Sequence, residues 1–323
     1  MKEDSKQSVF TPILIGGSLI LLISFAIRST FGLFQIPIAS EFLWNRSEFS
    51  LAIAIQNLAW GIGTPLFSAF AEKYGDNLSA EHHHLIRDVD SCYLSSSLAV
   101  DLAKKYDADL HVFHLTTEKE MELFTSGMID GKKITAEVCV HHMLLNDSYY
   151  PELGNQIKCN PSIKTETDRQ ALIKSLKEDK IDIIATDHAP HTWDEKMQDY
   201  KDAPAGLPLV QHGLQILMDF YHKDILSLET IVEKTSHNVA KRFQVKDRGY
   251  IREGYYADLA VLDIDKSYEV TKENILYKCG WSPFLGKTFP SSIYLTIVNG
   301  NIAFQDGEIS KDLPFGMQIE FDR

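Results

Sequence analysis

The stretch IDIIATDHAPH, residues 181–191, starts as apolar strand text and breaks at Thr186 into Asp187, His188 and His191. Isoleucine-rich runs this short, bounded by polar residues, read as buried strands. An apolar strand seldom ends in so many donors and acceptors without a site. The flanking text has the matching rhythm. TDRQALIKSLKEDK (167–180) is helical in period, KITAEVCVHHMLL (133–145) reads as a strand, and ADLHVFHLTT (108–117) as another. SSLAVDLAKKY (96–106) carries the 3.6-residue apolar period of a helix. Alternation of this kind predicts βαβ units, a parallel sheet and an α/β fold.

In α/β barrels the chemistry gathers at the C-terminal ends of the strands. Polar residues collect at such ends here: His114, then His141 and His142, then Asp187, His188 and His191. A rigid strand fixes the direction of a ligand, and its exit loop leaves a coordination position open for water or substrate. A carboxylate such as Asp187 can bind a metal and also take a proton from the attacking water. The ordinary alternative for any one of these histidines is a hydrogen-bonded core residue.

The net charge of -13 over 323 residues argues against nucleic acid as a partner. Four cysteines, Cys92, Cys139, Cys159 and Cys279, lie far apart without a C-x-x-C pair, the pattern of a reducing compartment without a disulfide framework. Apolar content is concentrated at the front. Residues 10–27 and 50–71 carry no charge, and each meets the ~20 residues a bilayer-spanning helix needs. A secretory signal peptide is the rival for the first run, but its length and the second run behind it speak for two spans. Lys2, Lys6 and Lys73 place both ends of such a hairpin in the cytoplasm, with Arg46 in the connection. Arg28, inside the first apolar stretch, faces a polar partner or snorkels to the interface. FGLFQIPIASEF and SAFAEKYG resemble the first helix and the following loop motif of the major facilitator superfamily, with Ser68, Glu72 and Lys73 in place of the usual Gly, Asp and Arg. That resemblance covers two helices, which form no transport path.

From about residue 77 onward the chain resembles the C-terminal half of a dihydroorotase, of the amidohydrolase superfamily. The resemblance rests on LHVFHLTTEKEMELF, ITAEVCVHHMLLND, KCNPSIKTETDRQALIKSLKEDKIDIIATDHAPH and PAGLPLVQHGL. GYIREGYYADLAVLDID and IVNGNIAFQDGEI are similar to the small β-sandwich that closes such enzymes. It implies a partial TIM-type (β/α) barrel, its last three strands and helices over 77–244, then a β-sandwich-like portion over 245–323; the apolar runs place a transmembrane hairpin over residues 1–76 in front of it. It implies that His114 binds zinc and that Asp187 binds zinc and accepts and donates the proton. Asn160, His191, Ala205 and Gly206 would meet the substrate. The implied reaction interconverts dihydroorotate and carbamoyl aspartate, a step of pyrimidine biosynthesis.

The sequence departs from that pattern. The family's His-x-His pair at the end of the first strand, the arginine behind it, the bridging carboxylated lysine or aspartate and the histidine of the fifth strand have no match. His82-His83-His84 resembles a helix-entry segment of the family and reads as a solvated loop before a helix. The chain is therefore expected to be catalytically defective by itself. Three other readings stand beside this one. The first is a hydantoinase- or allantoinase-like enzyme, against which KCNPSIK and PAGLPLVQ speak. The second is a membrane-anchored interaction module without catalysis. The third is a chimeric gene product with its seam near residue 76, whose hydrolase part would be cytoplasmic without an anchor.

Overall fold

The computed structural model describes residues 75–311 and 314–322. The two apolar runs of residues 10–71, and the transporter-like hairpin expected from them, lie outside the described residues. Among the described residues no helix is long and apolar enough to cross a membrane.

The unit beginning at Asp76 is organised by helix α1 (Val89–Tyr106), strands β1 (Leu110–Val112) and β2 (Ile134–Cys139), helices α2 (Val140–Leu144) and α3 (Glu166–Lys177), and strand β3 (Ile183–Ala185). The three strands form one parallel sheet in the order β1-β2-β3. Val112 stands opposite Ala136, and Cys139 opposite Ala185. As the central strand β2 is covered on both faces, which is why Ala136, Val138 and Cys139 are fully buried and its text is apolar without strict alternation. Helix α1 starts where the Asp88 carboxylate accepts from the Ser91 N–H at 2.8 Å, and ends at Asp107 in the left-handed region. Helix α3 starts in a capping box between Thr165 and Asp168. Asp168 also accepts from the Glu118 N–H at 2.9 Å, tying the loop behind β1 to α3.

The run 133–145, expected as one strand, divides. Its extended part stops at Cys139, and His141 and His142 belong to the helical turn α2. β3 ends at Ala185, so no partner remains beyond Cys139. The backbone then satisfies itself locally, with the Leu145 N–H donating to the His141 carbonyl at 2.9 Å. The histidine triplet also differs from expectation. His83 is 2 % exposed and lies in a short helical turn, His83–Ile86.

Behind β3, helix α4 (Gly213–His222) packs its first residue on Thr186; a Cβ at Gly213 would lie 2.9 Å from the Thr186 Cγ2. A helical stretch from α5 (Leu228–Val232) through a π-turn to α6 (Asn238–Phe243) follows. The last part holds β4 (Leu259–Asp263), β5 (Tyr268–Glu269), β6 (Thr288–Phe289), β7 (Ser292–Val298), β8 (Asn301–Gln305) and β9 (Glu308–Ile309). These make an antiparallel sheet, β4-β7-β8-β9, and a two-stranded ribbon, β5-β6.

His212, just before α4, is fully buried among Tyr268, Tyr277, Phe284 and Phe289. Its Nδ1 pairs with the Tyr277 hydroxyl at 3.2 Å, and its Nε2 has no partner. Burial lowers its pKa from 6.5 to about 4. The unfolded chain thus binds a proton below pH 6.5 that the folded chain refuses until about pH 4. The stabilisation is complete above pH 6.5 and is lost as the pH falls through that interval, up to about 3 kcal/mol. Urea unfolding at pH 7 and pH 4.5 is expected to show a smaller stability loss for His212→Phe than for the wild type. Equal losses would refute the assignment.

Candidate functional site

The C-terminal edge of the sheet is where the chain bends out of its regular geometry. Two residues beyond the last residue of each outer strand, His114 and Asp187 have φ of +43° and +47°. Non-glycine residues in the left-handed region cost free energy and concentrate at functional positions. After His114 the chain rejoins β2, the Leu115 N–H donating to the Glu137 carbonyl at 2.9 Å. His114 is half-buried and lines a cleft of about 490 Å³ together with Arg87, Phe113, Asn160 and Pro161. Asp187 is exposed and does not line that cleft.

A second group gathers at the loop of residues 203–209. His191 Nε2 lies 3.2 Å from the Ala205 carbonyl, and the His191 carbonyl accepts from Trp281 Nε1 at 2.7 Å. The Gly206 N–H donates to the Lys158 carbonyl at 2.8 Å, linking this loop to the segment carrying Asn160. Gly206 has φ +143°, and a Cβ there would lie 2.5 Å from the Ala189 carbonyl oxygen. So the structure joins His114 with Asn160, and His191 with Ala205 and Gly206. His188 has another task. Its Nδ1 accepts from the Leu209 and Val210 N–H groups at 2.9 and 3.3 Å, and its ring stacks on Tyr277. It fixes the loop.

Two lysines hold the same loop from inside. Lys196 is fully buried and donates to the carbonyls of Lys158 and Pro204 at 3.0 and 2.9 Å. Lys158 donates to those of Tyr200 and Ala203. Burial lowers both ammonium groups to about 8. His83 adds a third anchor, with Nε2 2.7 Å from the Cys159 carbonyl and Nδ1 2.8 Å from the Tyr200 hydroxyl. Burial brings its pKa down to about 4, so it is a neutral staple at pH 7. The nearby charge and polarity in KCNPSIK and DEKMQ were the only signals available, and neither distinguishes burial from solvation.

His114 and Asp187 are donors of the kind a hydrolytic metal centre uses. Among the described residues, however, neither belongs to a group of three potential ligands at metal-binding spacing; the one such group is Cys139, His141 and His142. The described residues alone therefore do not complete a centre around His114 and Asp187.

A parallel sheet with polar residues at its C-terminal edge and an antiparallel appendage fit the closing part of an amidohydrolase-type barrel, though other α/β folds share them. The family model of that description, the amidohydrolase family, matches residues 97–303, and the chain belongs to this family. Family members generally depend on a metal. A dihydroorotase of Endomicrobium trichonymphae is 36% identical over 205 residues, covering 63% of this chain and 49% of the relative. A dihydroorotase of Ligilactobacillus salivarius is 37% identical over 217 residues, covering 66% and 51%. The chain thus spans about half the length of these curated relatives. Among solved structures, the L-hydantoinase (dihydropyrimidinase) of Arthrobacter aurescens superimposes with a TM-score of 0.71 at 22% identity, over 80% of this chain and 58% of that one. The last similarity concerns the fold alone.

Proposed function

We propose that this chain carries part of a dihydroorotase-like cyclic amide hydrolase, the part that supplies the proton-transfer carboxylate and the substrate loop. The observation that carries this reading is the placement of His114 and Asp187 at two strand exits of a chain whose curated relatives are dihydroorotases. Asp187 would accept the proton of the attacking water and return it to the ring nitrogen as the amide opens. Asn160, His191 and the backbone at Ala205 and Gly206 would hold the ring, their dipoles directed at an anionic, amide-rich substrate. A metal ion, zinc on the family's pattern, supplies electrophilic activation when bound, and His114 and Asp187 would be this unit's ligands to it.

With only those two such ligands among the described residues, turnover by this chain alone is expected to be negligible. Purified full chain, supplied with zinc and carbamoyl aspartate, should close the ring at less than a thousandth of the ~10 per second typical of enzymes. A rate near that typical value overturns the incompleteness. Binding tests the substrate: dihydroorotate should bind, and His191→Ala or Asn160→Ala should weaken it. Preference for a hydantoin would favour the hydantoinase-like alternative.

A second reading has its own observation. Leu94, Leu98, Leu102 and Tyr106 repeat every four residues along α1 and are 68%, 53%, 38% and 68% exposed. Together with β1, an edge strand among the described residues, this stripe suits an interaction module that docks on a polypeptide supplying further β/α units of the barrel. Co-expression with such a polypeptide should restore turnover, and Leu98→Asp should abolish the restoration. We further propose that residues 10–71 form a transporter-like hairpin that anchors the unit on the cytoplasmic side of a membrane; fractionation of the full chain with membranes, and release on deletion of residues 1–76, would test it. The alternative, a chimeric chain, is tested by sequencing single long molecules across codons 70–85.

A further inference from the structure

At the C-terminal end of β2, Cys139 ends the strand and His141 and His142 follow in the first turn of α2. Residues adjacent on a helix diverge and do not face one another. Yet the two imidazoles stand with ring centroids 4.0 Å apart, tilted by 41°. One ligand atom from each of Cys139, His141 and His142 lies within 4.8 Å of the others. All three side chains are buried: Cys139 and His141 are 0% exposed and His142 is 3% exposed. Neither nitrogen of His141 has a hydrogen-bond partner, and neither does Nδ1 of His142. A buried imidazole with no partner at either nitrogen is expensive, because its desolvation is left uncompensated.

His142 has the arrangement that a ligating histidine adopts. Its Nε2 lies 3.0 Å from the Pro161 carbonyl. Donation to that carbonyl fixes the proton on Nε2 and leaves the Nδ1 lone pair free, as outer-shell carbonyls do for metal-bound histidines. The free Nδ1, the unpartnered His141 and the Cys139 sulfur then make a donor set of one thiol and two imidazoles.

We propose that Cys139, His141 and His142 form a buried site for one thiophilic d10 cation, Zn²⁺ or a close relative, separate from His114 and Asp187. The soft sulfur and the two neutral imidazoles select such an ion over Mg²⁺ or Ca²⁺, which take oxygen ligands. Tetrahedral bonds of about 2.3 Å to sulfur and 2.0–2.1 Å to nitrogen require ligand separations of roughly 3.5 Å. The three side chains must therefore close by about 1 Å, within reach of small side-chain rotations. On binding, the Cys139 thiol gives its proton to solvent and its sulfur donates an electron pair to the ion, so affinity rises with pH. The site is independent of the proposed hydrolase activity, since it uses none of the residues assigned to it.

The test uses the full chain, freed of metal by chelation and loaded with Co²⁺ as an optical probe, both natively and during refolding. One equivalent should bind with a sulfur-to-cobalt charge-transfer band, and Zn²⁺ should displace it. The band should persist in the double variant His114→Ala/Asp187→Asn. Cys139→Ala should abolish the band, and His141→Ala should weaken binding by about 100-fold or more, beyond the cost of losing an outer-shell partner. X-ray absorption of the zinc-loaded wild type needs no variant and should show sulfur at about 2.3 Å. A shell of nitrogen and oxygen alone, a band that survives Cys139→Ala, or a band lost in the His114/Asp187 variant overturns the proposal.

Discussion

Gly206→Val is expected to destabilise the chain by about 4 kcal/mol and to release the loop of residues 203–209 from its seat. Two costs add. Gly206 has φ +143°, a conformation that β-branched residues do not tolerate, worth about 1–3 kcal/mol. A Cβ would also lie 2.5 Å from the Ala189 carbonyl oxygen, 2.8 Å from the Ala189 Cβ and 3.1 Å from the His191 Cδ2. The first two of these contacts are to backbone or to an atom fixed on it, so no flexible side chain can swing away. Overpacking of that kind costs a further ~1–3 kcal/mol. Relief means moving the loop, which breaks the Gly206 N–H bond to the Lys158 carbonyl and separates His191 from Ala205. Urea unfolding measures the first effect, and loss of dihydroorotate binding the second. A variant within about 1 kcal/mol of wild type would show that the loop is not seated as described. Gly206→Ala should share the direction with a smaller loss.

What could be read in advance was the local break in texture, apolar strand to polar exit. That break placed His114 and Asp187 just past the strand ends, where the backbone turns into the left-handed region, because it depends on a few neighbouring residues. The length of β2 was not legible. Val140, Met143 and Leu144 continue the apolar text, and the strand stops only because its neighbour stops at Ala185, far along the chain. His83 was missed for the same kind of reason. Its local text, EHHHL, is that of a solvated turn, while the partners that bury it, Cys159 and Tyr200, are 76 and 117 residues away. Lys158 and Lys196 follow suit: a lysine is read as exposed unless the carbonyls that receive it are known. The pairing of His141 with His142 was visible as a dipeptide, but whether adjacent rings face each other depends on what surrounds the turn. In each case the part that escaped was a long-range contact satisfying or orphaning a polar group.

The opposite end of the sheet gives the second large expectation. Asp182 lies just before β3 with its side chain 2% exposed, and all its polar groups are engaged. Its carboxylate accepts from Lys132 Nζ at 2.8 Å and from the Ala136 N–H at 3.0 Å. Its own N–H donates to the Ala136 carbonyl at 2.9 Å, and its carbonyl accepts from Asn238 Nδ2 at 2.9 Å. One residue thus ties β2, the turn before it and α6 together at the N-terminal edge, where barrel residues serve stability rather than chemistry. Asp182→Ala leaves the Lys132 ammonium, whose side chain is 11% exposed, without its carboxylate. Breaking a buried pair from one side costs about 3–5 kcal/mol, since the surviving charge stays desolvated. Asp182→Asn also removes the charge but keeps an acceptor for the Ala136 N–H, so its loss should be smaller than that of Asp182→Ala only by the ~1 kcal/mol of the retained bond. Lys132→Met removes the other charge, so the double variant Asp182→Asn/Lys132→Met should recover part of the loss seen with Asp182→Ala. Urea midpoints of the four chains decide the matter, with Co²⁺ binding at Cys139 as a control for the far end of the sheet. If Asp182→Asn costs as little as ~1 kcal/mol, the charge pair is not what holds this edge, and the bond to Ala136 carries it instead.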